Sequence, residues 1–433
     1  MKYSMGKTFL LGFGFFGVSV IWSVYNAFVP VFLNERFLMA AGFIGVFMTL
    51  DNIASMFIQP VIGAWSDRLR TRIGRRMPFI LVGAPLAAIS FILLPLSSSM
   101  WLFFLAAVLL LLSMAIWRTP VVALMPDITP SPYRSQANGI INLMGGLGAI
   151  IAFLGGASLY DMNPAYPFYL GAGLVLVGGI LVFLFIREPK IESGAEQPDV
   201  KNEDAGGKSA LRAILKNLAI VFTSKEKSAL MILLAIFFWF IAYNGIEAFF
   251  TLYGQNHLNM TASDAARLLG QLSLPFVLFA IPSGYLGAAI GRKRTIMIGV
   301  ALMTIGVASM YLLPVETLVI SLTKLPVLGN VPVVGAIMMG LGVAWSLINI
   351  NSLPMVVDMT DDDHIGTYTG LYYFFSTLAA ILGPITYGLM VQLFGNRYDL
   401  VMLISPIFFF AAFVFMSFVR RGEAQKQAVH KNG

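Results

Sequence analysis

The strongest constraint in this sequence is a series of long apolar runs separated by short polar stretches. About 20 consecutive apolar residues let a helix cross the hydrocarbon core of a bilayer. The runs predict spans at 8–33, 40–64, 77–97, 100–125, 137–160 and 166–187. After a polar stretch they predict spans at 228–253, 266–290, 293–313, 331–356, 366–394 and 398–419. Of the 433 residues, 58% are hydrophobic and only 11% charged, whereas soluble domains carry about 25% charged residues. So few charges could not cover a water-exposed surface, but lipid accepts apolar side chains on the outside of a helical bundle. The expected fold is an all-α membrane protein of twelve transmembrane helices that moves a small solute. The opening MKYSMGK leads into a run too long for a signal-peptide core, with no small-residue cleavage site behind it. It reads as an uncleaved first span.

Loop charge sets the expected orientation. The net charge is +7, and its basic residues cluster between spans. Arg68, Arg70, Arg72, Arg75 and Arg76 follow span two, and Arg292, Lys293 and Arg294 follow span eight. Arg420, Arg421, Lys426 and Lys431 end the chain. The positive-inside rule puts these loops and both termini in the cytoplasm of a cell membrane, as in a bacterial inner membrane, and removes nucleic acid as a partner. The acidic 358–364 loop, with Asp361, Asp362 and Asp363, runs against the trend but weighs little in the rule. Cysteine is absent, and His257, His364 and His430 lie far apart. No disulfide, thiol nucleophile or metal site is therefore expected. Neither a P-loop nor a catalytic triad is present, so the chain reads as a non-enzyme without a cofactor beyond a coupling ion.

Four regions follow: a bundle over 1–188, a cytoplasmic linker over 189–226, a bundle over 227–420 and a tail over 421–433. The linker begins with mixed charges, Gly, Ser and Pro, a composition that cannot bury a core. From Leu211 to Phe222 it carries Leu211, Ile214, Leu215 and Leu218 at helical spacing. That pattern suits a helix on the membrane surface or one packed on the bundle base.

The two bundles resemble each other. Gly63 and Asp67 precede a basic loop ending in Gly74, Arg75 and Arg76, and Gly284 precedes Gly291, Arg292 and Lys293. ALMPDIT at 123–129 answers LPMVVDMT at 353–360, which pairs Asp127 with Asp358. Paired halves around a midplane site are a common plan of secondary transporters working by alternating access.

Charges at membrane depth cost at least about 2.5–3.5 kcal/mol each, so they mark candidate sites. Asp51 lies near the middle of span two and is followed by Asn52, Ser55 and Gln59; its carboxylate could exchange a proton or hold sodium with Asn52. Arg118 in span four offers donors to sugar hydroxyls or a carboxylate, or forms a static pair with Asp51 or Glu247. Glu247 in span seven shares a stripe with Asn244 and Thr251 and joins the coupling set of Asp51 and Asn52. Trp22, Tyr25, Asn26, Asn142, Tyr243, Asn244, Trp345, Asn349 and Tyr372 join Arg118 as the candidate substrate lining. Aromatic faces with amides suit sugars, although single polar residues of this kind often serve helix packing.

QPVIGAWSDRLRTRIGRRMPFI, residues 59–80, resembles the major facilitator superfamily, whose common motif matches here at Gly63, Asp67, Gly74, Arg75 and Arg76. Pro78, Phe79 and Ile80, with the LMPD around Asp127 and then Arg134, Ala137 and Asn138, are similar to the sugar–cation symporters, in particular the glycoside–pentoside–hexuronide and sucrose-transporter-like groups. One place departs: the arginine of the sucrose pattern is Val122 here, with Arg118 one turn earlier. The resemblance implies a cytoplasmic gate of Gly63, Asp67, Gly74, Arg75, Arg76, Asp127 and Arg134, in which Gly63 permits close helix approach and Asp67 latches the halves. It also implies cation-coupled import of a sugar such as a disaccharide, with proton favoured over sodium, by a monomer. Two other functions stay open: proton-driven efflux of amphipathic compounds, with the 35 Phe and 23 Met lining a greasy cavity, and a transporter-like receptor signalling through the linker.

Overall fold

The computed structural model describes residues 5–130, 133–188, 226–360 and 365–423. The predicted linker helix at 211–222, the Asp361–Asp363 run and most of the tail lie outside these residues. Twelve of the described helices are long and apolar enough to cross a membrane. The first six are α1 (Met5–Arg36), α2 (Ala41–Arg68), α3 (Met77–Leu96), α4 (Met100–Ile128), α5 (Ala137–Met162) and α6 (Tyr166–Phe185). The last six are α7 (Ser228–Asn256), α8 (Ala262–Ile290), α9 (Arg292–Leu312), α10 (Val333–Val357), α11 (Ile365–Leu393) and α12 (Leu400–Ser417). The helices overrun the predicted spans most at the end of α2 and the start of α8. There Ser66, Asp67 and Arg68 extend α2, and Thr261 caps α8 by accepting from the Asp264 N–H. Hydropathy registers only the apolar part of such a helix.

Packing repeats from one half to the other. In the first half α1 packs on α5 and α6, α3 on α4 and α6, and α2 on α4. Adding six to each number gives the second half: α7 on α11 and α12, α9 on α10 and α12, and α8 on α10. The halves meet along α1–α7 and along two seams, α2–α11 and α5–α8. The second seam repeats the first with the roles of the halves exchanged.

The face carrying the 68–76 and 291–294 loops is termed the basic face, and its opposite the far face. On the far face the halves are pressed together. A methyl group on Gly45 of α2 would strike the Pro384 carbonyl of α11, and one on Gly388 would strike the Ala41 carbonyl. On the basic face the entering residues of α5 (Asn138, Gly139, Asn142, Leu143) are exposed. Gly139, Gly366 and Gly370 there have nothing within 4 Å of an added Cβ. The molecule is therefore open toward the basic face and closed at the far face.

Two irregularities interrupt the spans near mid-depth. Helix α2 breaks at Met48 and Thr49, just before Asp51. Helix α5 has a π-turn at Ile151–Gly155, a device that often marks functional sites. Between α9 and α10 lies a two-stranded hairpin, β1 (Ser321–Leu325) antiparallel to β2 (Gly329–Pro332). Sequence periodicity left this segment as a loop.

Candidate functional site

The midplane charges converge. At about 1.5 Å rise per residue, Asp51 lies ten residues from the far end of α2 and Arg118 ten from the basic end of α4. Each is therefore about 15 Å inside its helix end, and the two side chains feel each other's charge. Asn52 donates to Asp51 at 3.0 Å, and Gln59 donates to Ser55 at 2.9 Å. Glu247 of α7 is within electrostatic reach of Asp51 and accepts from the Asn26 amide of α1 at 3.2 Å. The pattern links α1, α2, α4 and α7, with the Asn26–Glu247 bond crossing between halves.

The other predicted lining residues divide. Trp22, Asn26, Tyr243, Asn244 and Asn349 are half-buried, as are Asp51, Asn52, Arg118 and Glu247. Tyr25 is buried, edge-on to Trp22 at 5.6 Å; the Trp22 indole N–H and the Tyr25 hydroxyl have no hydrogen-bond partner among the described residues. Tyr243 stacks on Trp345 at 4.0 Å with ring planes 7° apart. Tyr372 is buried against Ser352, hydroxyl to hydroxyl at 3.1 Å. Asn244 and Asn142 both turn back on their own helices, donating to the Phe240 and Asn138 carbonyls. Asn142 is exposed on the open basic side.

Beside Glu247 lies an apolar pocket that sequence reasoning did not place. Phe153, Tyr243, Ile246, Phe250, Leu269, Leu272, Met303, Met310, Met338, Leu341 and Met402 surround its single carboxylate. All but Phe153 come from the second half; Phe153 closes the pocket from the π-turn of α5. Its cavity volume is only about 30 Å³, so its own side chains nearly fill it in this conformation. Methionine's three flexible torsions and polarizable sulfur suit a site that reshapes around its occupant. The residues come from α5, α7, α8, α9, α10 and α12, so no local sequence signal announces the pocket.

On the basic face the predicted gate residues form a cluster within the first half. Asp127 of α4 accepts from Arg75 at 3.0 Å and from Arg76, while Asp67 of α2 lies 3.0 Å from Arg76. Asp67 thus ties α2 to α3 rather than latching the halves. Gly63 departs from its expected role too: an added Cβ would meet only Thr119, at 3.5 Å, an ordinary contact. Gly74 does need its identity, since its φ is +118°. The Arg134 side chain lies outside the described residues. Glu188 accepts from the N–H groups of Arg75, Arg76 and Met77 and caps α3. The second half matches this arrangement. Arg292 bonds Asp358, Gly291 has φ +99°, and Glu423 accepts from the N–H groups of Arg292 and Lys293. The two capping glutamates could have been suspected from their similar places, a few residues past α6 and α12.

Far-face latches cross between halves and escaped the sequence analysis because each joins distant residues. Asp161 of α5 bonds Arg267 and Ser263 of α8. Gln392 of α11 accepts from the Gly42 N–H of α2 at 3.0 Å. Gln255 of α7 donates to Glu35 of α1 at 2.6 Å.

Two six-helix halves with matched packing and matched charge clusters, meeting around a midplane polar site, define a pseudo-symmetric membrane bundle. The chain belongs to the Major Facilitator Superfamily, whose family model matches residues 11–329 and 268–432. It is similar to Multidrug resistance protein 1 of Bacillus subtilis (strain 168), 26% identical over 255 residues that span 59% of this chain and 59% of that protein. A shorter stretch of 128 residues is 29% identical to Sucrose transport protein SUC3 of Arabidopsis thaliana, spanning 24% of this chain and 22% of that protein. Among solved structures, a mutant of the nucleoside transporter NupG has the same fold, with a TM-score of 0.72 at 16% identity over 96% of this chain and 100% of that one.

Proposed function

We propose that this protein is a secondary transporter that exports amphipathic, positively charged compounds in exchange for protons, with the basic face in the cytoplasm of a bacterial inner membrane. One observation carries the reading: Glu247 is the single carboxylate of a pocket otherwise built of Met, Phe, Leu, Ile and Val, with Tyr243 and Ser273. The flexible methionines let the nearly filled site widen around an apolar body, and a cationic group pairs with the carboxylate. A proton on Glu247 removes that pairing, so proton and substrate compete for one group. Opening toward the basic face presents the site to the cytoplasm. Substrate binding takes Glu247 from Asn26, which removes a mid-depth contact between the halves. The longer match to Multidrug resistance protein 1 supports this reading above sugar import, the first expectation from the sequence motifs. Glu247→Gln keeps an acceptor for Asn26 but loses the charge. In everted vesicles energised by a pH gradient, the native protein accumulates ethidium and Glu247→Gln does not. Equal accumulation by both removes Glu247 from the mechanism.

Sugar–cation symport is the second reading, favoured by the electrostatic proximity of Asp51 and Arg118 and by the Trp22 and Tyr25 donors, which have no partner among the described residues. Its signature is external alkalinisation when a disaccharide is added to right-side-out vesicles.

A further inference from the structure

The hairpin between α9 and α10 belongs to the second half, yet its inner side reaches the first. Leu328 and Val331 are buried in one cluster with Ile150 and Leu154 of α5, flanked by Leu274 and Val277 of α8 and Met339 of α10. The hairpin therefore sits over the α5–α8 seam. The Gln271 amide of α8 holds it by donating to the Leu328 and Asn330 carbonyls at 3.1 and 2.7 Å. One turn away, Arg267 lies under Gly329 and bonds Asp161 across the seam.

Depth and surface chemistry identify what meets the other side. Gln271 is nine residues inside α8, so the turn is held about 13 Å below the helix end at 1.5 Å per residue. The 29 residues of α8 extend about 43 Å, which exceeds a hydrocarbon core of about 30 Å. The overhang is about 13 Å in all, so the turn lies between the headgroup–acyl boundary and about 7 Å inside it, according to how the overhang is shared between the two helix ends. The outward side chains there are apolar: Ile320 is 54%, Leu322 57% and Val327 67% exposed. Ile305 and Leu312 of the preceding α9 are likewise 67% and 76% exposed. Lys324 is exposed among them, placed for a lipid phosphate. Among the described residues the outer edge of β1 has no partner strand, and an open edge is not tolerated in hydrocarbon proper. Lys324 and the open edge favour the outer end of that range, against the headgroups.

We propose that the hairpin is a lipid-seated wedge: phospholipid of the far-face leaflet is the partner of its outer side, while its inner side plugs the α5–α8 seam. Opening of the far face separates α5 from α8, so the wedge must leave α5, and the lipid around it becomes part of the gate. This holds whichever solute is carried.

The chain has no cysteine, so single probes can be placed directly. An environment-sensitive fluorophore is attached at Val327→Cys or Leu322→Cys, with Arg397→Cys in the α11–α12 loop as the aqueous control. The full-length protein is reconstituted in phosphatidylcholine vesicles with or without bromine on the acyl chains. Bromolipid is expected to cut emission at 327 and 322 by about twofold or more, as for a group at the headgroup–acyl boundary, while iodide quenches only 397. A probe at 327 that follows 397 overturns the lipid contact. Adding Leu328→Asp puts a charge into the buried seam cluster, and the 327 probe should then shift toward iodide quenching with a lower melting temperature, while circular dichroism of native helix content shows that the bundle itself stays folded. If bromolipid quenching persists unaltered, docking in the seam does not position the hairpin and the wedge is refuted.

Discussion

Asn26→Ala removes the hydrogen bond between halves nearest the candidate site, and its effect can be scaled. The bond is 3.2 Å long, at the weak end of the N–H···O range. A net contribution of about 1 kcal/mol is therefore reasonable for it. The bond joins α1 to α7 with the far face closed, so its loss falls on the balance between closed and open far faces rather than on folding. About 1 kcal/mol corresponds to about a fivefold change in that ratio. Spin labels at Met162→Cys and Leu393→Cys report it. Both residues end far-face helices of opposite halves and are 72% and 76% exposed, and the native chain has no cysteine to remove. Pulsed electron–electron distances should show the longer, far-face-open population rising about fivefold in Asn26→Ala. An unchanged distance distribution would refute the assignment of this bond to the gate.

Other perturbations follow from the same geometry. Gly45→Ala puts a methyl against the Pro384 carbonyl, so the same labels should show mainly the far-face-open distance while circular dichroism stays native. Asp127→Asn weakens the pairing of Arg75 and the buried Arg76 and should cost about 1–3 kcal/mol, a bonded charge losing its partner, read as a lower melting temperature in detergent. Asp399, between α11 and α12, is pushed up by partial burial, but the hydrogen bond and charge of Arg397, with His257 nearby, outweigh this and hold its carboxyl below the ordinary value. Its stabilisation is complete above the unfolded pKa and is lost as pH falls through the lower folded one. Asp399→Asn should therefore lower the melting temperature at neutral pH and converge with the native protein in acid; a constant offset at every pH would contradict this.

The twelve spans were legible because crossing a bilayer demands long apolar runs, which leave little room for another reading. The repeat was legible too, through Gly74 with Gly291 and Asp127 with Asp358, whose equivalent roles the structure displays. The motif residues Asp67, Arg75, Arg76 and Asp127 do come together on the basic face, but that Asp67 pairs with Arg76 inside the first half is a partnership no local pattern specifies. Asp51, Arg118 and Glu247 stood out by the cost of burying charge. The methionine pocket did not, because its residues are spread over six helices and methionine in a span looks like any lipid-facing residue. The Asp161–Arg267, Gly42–Gln392 and Glu35–Gln255 latches join residues 106, 350 and 220 positions apart, beyond any local pattern. The β1–β2 hairpin was hidden because its two strands are only five and four residues long, too short for a clear alternation, and read as a loop between spans.

The most direct test of the account is a flux measurement on purified protein in vesicles with the basic face outward, a pH gradient acid inside, and ethidium and a disaccharide panel offered outside. The account predicts ethidium accumulation inside with proton release outward, loss of both in Glu247→Gln, and no sugar movement. Sugar uptake coupled to proton flux, with ethidium left at equilibrium, would contradict it.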